Sequence, residues 1–369
     1  MNKSTLCDVA TVVVFVAICA APCSIALALR VFVVGHPLHF FENIDGSVHT
    51  AVAEMRGLGQ EVASVSEKAF DNGDWAGVVK GGRRWLFLTS SGEMQMYMGR
   101  LPLNRGVVER WRSVLEHRRE LCDRHGVFYL PLICPDKHSV HEEKLPNDIR
   151  LAKGRSRLDQ WNEIVSESDR RWLDIRAALI IAKEKEGDVY YPDDTHWSHD
   201  GAFAAYAAVM SMLRECGVEG IVLGADEFIQ GSRGRIGDLL PDEGRDTGVR
   251  QFPVWERKGG WRAVSSTYHW PEGVEKPSRV EPWQVARVYE CEAAAGVLLL
   301  VGDSFTQVEE HLFVKLVADS FKRCIVISNT PGAAPSCGAI ERVVEFERPD
   351  VFIESRVERQ LSIVFSECQ

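Results

Sequence analysis

The chain alternates short apolar runs with amphipathic segments from residue 84 to residue 354, a pattern that few folds accommodate. Apolar side chains recur at helical spacing over residues 106–124, and residues 127–134 form a continuous apolar run. This alternation predicts an α/β domain with a mostly parallel sheet, helices on both faces and a flavodoxin-like core. The predicted strands are 84–88, 127–134, 189–191, 296–301, 324–327 and 351–354, and the predicted helices are 106–124, 159–185, 201–216, 307–321 and 338–346.

One long segment interrupts the alternation. Residues 222–290 are rich in Gly, Pro, Arg and Trp and show poor periodicity of either kind. Irregular segments of this length in a compact domain are commonly functional. We therefore predict an insertion or lid-like region near the functional site.

The N-terminal part carries a different signal. Residues 9–29 contain no charged side chain, and as a helix they would be about 31 Å long, enough to span a bilayer. We predict an N-terminal transmembrane anchor within residues 1–35, a connector over 36–75 and one catalytic domain over 76–369. A cleaved signal peptide is the alternative, because residues 26–28 (Ala-Leu-Ala) form a small-x-small pattern.

Charge and cysteine content exclude some functions. The net charge of -10 argues against nucleic-acid binding, which needs a basic face. Three of the ten cysteines lie in the anchor region, so an odd number remains and these cannot all pair. Cys134 and Cys324 lie in apolar runs, which predicts buried free thiols. The sequence contains no Cys-x-x-Cys pair, so it gives no sign of a structural metal site of that kind.

A candidate nucleophile follows the most apolar strand. Residues 298–301 (Leu-Leu-Leu-Val) run directly into Gly302-Asp303-Ser304 and then into a predicted helix. In open α/β sheets ligands bind at the carboxyl ends of the strands, where backbone N–H groups can hold an oxyanion. Ser304 is thus predicted as nucleophile and its backbone N–H as an oxyanion donor. A serine also needs a base held by a third group.

The segment 190–198 offers that base and its partner. Asp194 and His196 flank a single residue, so in an extended loop their side chains point the same way. The carboxylate of Asp194 can then hold one ring nitrogen of His196 while the other faces Ser304. Asp193 is the alternative carboxylate that could orient His196. Ser198 or Asp200 would cap the following helix.

A metal site is the other interpretation of the same segment. Asp194 and His196 are both possible ligands, and His199 is near enough in sequence to be a third. The Gly-Asp-Ser turn favours the triad, because two separate strand-end segments then supply complementary members.

The order of the Asp-x-His segment and the Gly-Asp-Ser segment along the chain resembles that of a known family. Residues 194–197 (Asp-Thr-His-Trp) precede residues 302–305 (Gly-Asp-Ser-Phe), the reverse of ordinary SGNH esterases. The chain resembles the permuted SGNH-hydrolase-like domain of the alginate acetylation proteins AlgJ and AlgX. Three further parts of the chain resemble segments of this family: residues 79–88, residues 135–137 together with 143–146, and residues 348–354 together with 358–359. In the first of them, Arg84 stands where glycine is usual in the family.

The resemblance implies O-acetylation of an exported polysaccharide. Ser304 would accept an acetyl group, His196 would act as base and then acid, and Asp194 would hold His196, without a cofactor. The implied donor is a membrane-bound acetyl-transfer protein of the MBOAT type. The implied location is the inner membrane, with the catalytic domain in the periplasm or outside the cell. An SGNH-class carbohydrate acetylesterase and a non-catalytic polysaccharide-binding subunit of a secretion complex are the alternatives.

A polysaccharide substrate would need aromatic and polar contacts. We predict Trp197, Tyr191 and Lys137 as substrate-binding residues. Further aromatic candidates from the irregular segment are Trp255, Trp261, Trp270 and Trp283.

Overall fold

The computed structural model describes residues 77–168, 172–240, 249–275, 277, 281–330 and 333–364, with the backbone alone for residues 165–168 and 283. The chain divides into two units, residues 1–61 and 62–369, and every described residue belongs to the second. The predicted anchor and the whole of the predicted connector lie outside the described residues. None of the helices in the described part is long and apolar enough to cross a membrane.

The domain is built from eleven strands and ten α-helices within the described residues. The strands are β1 Val78–Lys80, β2 Leu86–Leu88, β3 Phe128–Cys134, β4 Leu173–Asp174, β5 Phe228–Arg235, β6 Arg250–Arg257, β7 Val264–Thr267, β8 Arg287–Glu290, β9 Ala295–Gly302, β10 Phe321–Ser328 and β11 Val351–Val357. The helices are α1 Glu93–Tyr97, α2 Arg105–His125, α3 Lys137–Val140, α4 Asn147–Leu151, α5 Arg157–Ser168, α6 Arg176–Glu186, α7 His199–Glu215, α8 Ser304–Gln307, α9 Phe313–Ser320 and α10 Cys337–Glu347.

A seven-stranded mixed sheet organises these elements. Its order is β4-β3-β11-β9-β10-β8-β7, and the five strands from β4 to β10 run parallel. β8 pairs antiparallel with β10, and β7 pairs antiparallel with β8. The predicted parallel sheet is therefore confirmed at its centre and corrected at one edge. The two antiparallel strands come from the segment in which no strand was predicted.

Helices cover both faces of the sheet, as the alternation predicts. Leu298 and Leu300 of β9 belong to one buried cluster, whereas Leu299 and Val301 belong to another. The first cluster includes residues of α6, α7 and α9, and the second includes residues of α2, α5 and α10. Because β9 is apolar on both faces and lies at the middle of the sheet, its carboxyl end is held rigidly.

Two predicted helices and one predicted strand are wrong in detail. The predicted helix 159–185 is interrupted by β4, which adds to the sheet beside β3. The predicted helix 307–321 is divided into α8, a 3-10 turn at Glu309–His311 and α9. Between the last two, Leu312 has a φ of 67°, which ends the 3-10 turn. The predicted strand 189–191 forms only one bridge, between Tyr190 and Trp197.

The segment 222–290 contains regular structure that its composition does not reveal. β5 and β6 form an antiparallel ribbon in which Arg235 pairs with Arg250. The ribbon packs on α7 through Trp255, whose ring stacks on Phe203 at a centroid distance of 4.5 Å. The irregular-looking segment is thus an extension of the domain beside the site rather than a structureless insertion.

The cysteines follow the prediction for the apolar runs. Cys134 and Cys324 are free and buried, together with Cys122 and Cys291. Cys337 is disulfide-bonded. Burial raises the pKa of Cys134 well above its ordinary value, so this thiol stays protonated and inert.

Gly302, the last residue of β9, allows a close packing that sets up the site. A Cβ added there would lie 2.0 Å from Thr306 Oγ1 and 2.7 Å from Ser355 Oγ. We expect Gly302→Ala to lower the free energy of unfolding by about 1–3 kcal/mol through overpacking. Gly338→Ala is the matched control, because a Cβ there meets nothing within 4 Å. Denaturant titration that finds the two variants equally stable would contradict this account.

Candidate active site

Ser304 is presented by a turn that Asp303 holds in place. Asp303 is the N-cap of α8, and its Oδ1 accepts a hydrogen bond from the Phe305 N–H at 3.0 Å. Its Oδ2 accepts from the Val357 N–H of β11 at 2.6 Å. The side chain is buried, and burial raises the pKa of its carboxyl. The aspartate of the Gly-Asp-Ser turn thus fixes the backbone that carries the serine.

The loop that carries Asp194 and His196 folds back on itself. Besides the Tyr190–Trp197 bridge, the Tyr191 N–H donates to the His196 carbonyl at 3.2 Å. Ser198 caps α7 by accepting a hydrogen bond from the Gly201 N–H at 3.3 Å. The prediction of Ser198 as the cap is therefore confirmed.

The structure brings the three predicted triad residues into one hydrogen-bonded row. His196 Nε2 lies 2.8 Å from Ser304 Oγ, and His196 Nδ1 lies 2.7 Å from Asp194 Oδ1. A carboxylate can only accept, so Nδ1 carries the ring proton and Nε2 has a free lone pair facing the serine hydroxyl. This is the arrangement in which histidine can take the serine proton.

Asp194 rather than Asp193 is the carboxylate that contacts His196. Asp194 Oδ1 also accepts the His196 N–H at 2.9 Å, and its Oδ2 accepts from Arg235 Nη2 and from the Asp238 N–H. Burial alone would raise the pKa of Asp194, but the hydrogen bond from His196 and the guanidinium of Arg235 hold it well below its ordinary value. Asp193 instead faces Arg250, with Oδ2 and Nε 3.4 Å apart.

Three residues of the site were missed by sequence reasoning. Arg235 binds Asp194, as described above. Asp238 accepts hydrogen bonds from the Thr195 N–H at 2.7 Å and the Thr195 hydroxyl at 2.6 Å. The ring of His311 stacks on His196 with centroids 3.9 Å apart. Arg235 and Asp238 lie in the segment without periodicity, and no local motif links any of the three to the triad.

Lys137, predicted to bind substrate, lies beneath the loop that carries Asp194 and His196. Its side chain is buried, and Nζ donates to the carbonyl oxygens of Tyr191, Pro192 and Asp194 at 3.1, 3.2 and 2.7 Å. Burial lowers the pKa of Lys137 to about 7, while nearby carboxylates, Asp194 first, oppose the shift. This cation thus holds the triad loop through the loop's own backbone, and a substrate contact of Lys137 stays a prediction.

Most of the aromatic side chains that were predicted to contact substrate are packed against other parts of the domain. Trp197 is fully buried, with its ring against Phe305 and Phe313, and so offers no face to a sugar. Tyr191 is also buried, but it lines a cavity of about 390 Å³ together with Arg233, Arg235 and Phe252. Among the other candidates, Trp255 and Trp261 pack on the first cluster and Trp270 on the second, and the Trp283 side chain lies outside the described atoms.

The metal alternative does not fit the contacts of His199. Its Nδ1 accepts from the Trp255 N–H at 2.8 Å, and its Nε2 donates to the Glu310 carbonyl at 3.1 Å. Both ring nitrogens therefore point away from Asp194 and His196. Asp194, His196 and Asp238 do have possible ligand atoms within 4.8 Å of one another. The guanidinium of Arg235 on Asp194 opposes a cation there.

The α/β fold is SGNH hydrolase-like. Residues 78–240 match the family model of the SGNH hydrolase-like domain of the acetyltransferase AlgX. This match includes Asp194 and His196, whereas Ser304 lies beyond it and joins the site through the fold. This part of the chain is therefore similar to the AlgX domain, in agreement with the resemblance that the sequence motifs carry.

Solved structures agree in fold. The O-acetyltransferase domain of Pseudomonas putida AlgJ is 17% identical, with a TM-score of 0.50 over 78% of this chain and 94% of that one. Bacillus cereus PatB1 is 14% identical, with a TM-score of 0.54 over 78% and 97%. At these identities the likeness establishes the fold alone. None of the curated proteins matches the chain.

The role of Lys137 can be tested by an isosteric change. Lys137→Met removes the ammonium donor from three carbonyl groups, of which those of Tyr191 and Pro192 keep a backbone N–H donor. We therefore expect a loss of about 1–3 kcal/mol in the free energy of unfolding. Turnover of an acetyl ester should fall with it, because the loop that positions His196 is released.

Lys153→Met is the control for this prediction. Lys153 pairs with Glu142 on the surface, where an ion pair contributes about 0–1 kcal/mol. Thermal melts and ester turnover report both effects. Wild-type stability in Lys137→Met would show that the loop does not depend on this cation.

Proposed function

We propose that the chain is an O-acetyltransferase that modifies an exported polysaccharide through an acetyl-serine intermediate. The observation that carries the proposal is the hydrogen-bonded row Asp194–His196–Ser304, at 2.7 and 2.8 Å, at the carboxyl end of β9. The family model of the acetyltransferase AlgX supports the same chemistry.

The first half-reaction transfers the acetyl group to the serine. His196 Nε2 takes the Ser304 hydroxyl proton while Oγ attacks the carbonyl carbon of the donor. The Ser304 backbone N–H, at the start of α8, stabilises the oxyanion of the tetrahedral intermediate. His196 then gives its proton to the leaving group, and Asp194 stabilises the imidazolium between these steps.

The second half-reaction returns the enzyme to its starting state. A sugar hydroxyl gives its proton to His196 Nε2 and attacks the acetyl carbon, and Ser304 Oγ leaves with the proton from His196. If water is the acceptor, the same steps produce an acetylesterase, the second candidate. The row of three residues argues against a non-catalytic polysaccharide-binding subunit, because packing alone does not require a base aimed at a serine.

The proposal includes a location and a donor. The uncharged run 9–29 supports an N-terminal anchor in the inner membrane, with the catalytic domain in the periplasm or outside the cell. Acetyl groups must then cross the bilayer, for which a membrane-bound protein of the MBOAT type would serve as donor partner.

Loss of the nucleophile or the base tests the chemistry. We expect Ser304→Ala and His196→Ala to keep the fold and to lose nearly all turnover of an activated acetyl ester, because each removes a member of the relay. Addition of oligosaccharides to the wild type should divert acetyl from acetate to the sugar. Wild-type turnover in either variant, with circular dichroism unchanged, would refute the mechanism, and acetate as the sole product would establish the esterase.

The two adjacent aspartates give a matched pair. Asp194→Asn removes the negative charge from His196 Nδ1 and favours the wrong ring tautomer, so we expect a fall in kcat of about 10²- to 10⁴-fold. Asp193→Asn should change kcat little, because Asp193 faces Arg250. Steady-state kinetics compares the two, and the opposite ranking would show that Asp193 is the orienter.

A further inference from the structure

The triad is part of a closed ring of five residues. Beyond the row described above, the Ser304 carbonyl lies 2.8 Å from His311 Nδ1, and His311 Nε2 lies 3.4 Å from Arg235 Nη2. Arg235 Nη2 donates to Asp194 Oδ2, which completes the ring. We propose that His311 is a positioning residue, a permanently neutral second imidazole that fixes the ring plane of His196 and the backbone of Ser304. This inference rests on the proposed function.

The partners of His311 determine its tautomer. The Ser304 carbonyl can only accept, so Nδ1 carries the proton. The guanidinium of Arg235 can only donate, so Nε2 offers its lone pair. A proton on Nε2 would point at the N–H groups of Arg235. The two contacts therefore require the neutral form with hydrogen on Nδ1.

The surroundings of His311 reinforce this neutrality. The side chain is buried, and burial lowers its pKa well below the ordinary value. A protonated His196 and the guanidinium of Arg235 act in the same direction, whereas the Ser304 carbonyl and Asp194 oppose the shift. Its ring stacks on that of His196 with an interplanar angle of 25°. During transfer His196 becomes an imidazolium. Because the stacked ring of His311 is neutral, it does not repel that positive charge, which Asp194 stabilises. A second cation there would oppose the proton transfer.

The backbone around His311 is shaped to put the ring in this position. His311 ends the 3-10 turn Glu309–His311, and the buried Leu312 that follows has φ 67° and ψ -39°. A non-glycine residue in such a conformation costs on the order of 1–3 kcal/mol and persists only where the surrounding structure imposes it. The turn begins one residue after α8, so Ser304 and His311 are positioned by the same short segment of the chain.

His311 acts through its neighbours, since its nitrogens contact the Ser304 carbonyl and Arg235 rather than Ser304 Oγ. Loss of the ring should therefore reduce the rate of the chemical step and leave substrate affinity unchanged. A displacement of the base by a fraction of an ångström is enough to reduce the rate strongly.

Three variants of the full chain test the inference by kinetics. His311→Phe keeps a ring to stack but loses both hydrogen bonds, and we expect kcat to fall by about 10- to 100-fold with KM unchanged. His311→Asn keeps a donor where Nδ1 lies and should recover part of that loss. His117→Phe, whose native ring contacts Glu341 between α2 and α10, should retain the wild-type kcat.

A kcat of the wild-type size in His311→Phe would overturn the inference, as would a loss that appears only in KM. If Ser304→Ala is itself as active as the wild type, the proposed function fails instead. The two failures are thus distinguishable.

Nitrogen-15 magnetic resonance of the histidine-labelled full chain tests the tautomer without reference to activity. We expect the ring that disappears in His311→Phe to show the neutral Nδ1–H pattern at pH 7 and to keep it at pH 5.5. His311→Asn assigns the same signal if the phenylalanine variant does not fold. An imidazolium pattern or the Nε2–H tautomer would overturn the inference.

Discussion

A buried carboxylate that must remain ionised is the constraint around which the site is built. Asp194 is removed from water, and isolated burial of its charge would be prohibitive without compensation. Its two oxygens receive hydrogen bonds from His196, Arg235 and the Asp238 backbone. His196 is two residues away, but Arg235 and Asp238 come from a distant part of the chain that the fold has to deliver. The geometry of the base and the packing of the ribbon β5–β6 therefore depend on one another.

The parallel core supplies the fixed reference for this arrangement. β9 is buried on both faces and ends at Gly302, and Asp303 connects the serine turn to β11. The loop with Asp194 and His196 has one β-bridge of its own, and Lys137 at the start of α3 holds it through three carbonyl groups. The nucleophile is thus carried by a rigid strand, whereas the base depends on side chains for its position.

The sequence predicts the parts of the molecule that rest on local chemistry. The apolar run of β9, the helical spacing of α2 and the serine cap of α7 follow from periodicity and capping, and all three are confirmed. Asp194 and His196 precede α7 and Ser304 follows β9, and the hydrogen bonds of His196 join the two segments.

The remainder depends on contacts that no short pattern encodes. Arg235 lies 41 residues from the aspartate that it binds. After Phe228 and Ile229, β5 contains only polar residues and glycines, which give no period-2 apolar pattern. Lys137, predicted to contact substrate, is buried because three carbonyls of a distant loop surround it. β4 is two residues long and gains its order from β3 alone, so the segment 159–185 is mistaken for one helix.

The covalent intermediate is the central claim, and mass spectrometry of the full chain tests it most directly. After incubation with an activated acetyl ester and rapid acid quenching, the account predicts a single acetyl adduct that peptide mapping places on Ser304 and that is missing from Ser304→Ala. An acetyl group on another residue, or an equal adduct in Ser304→Ala, would contradict it.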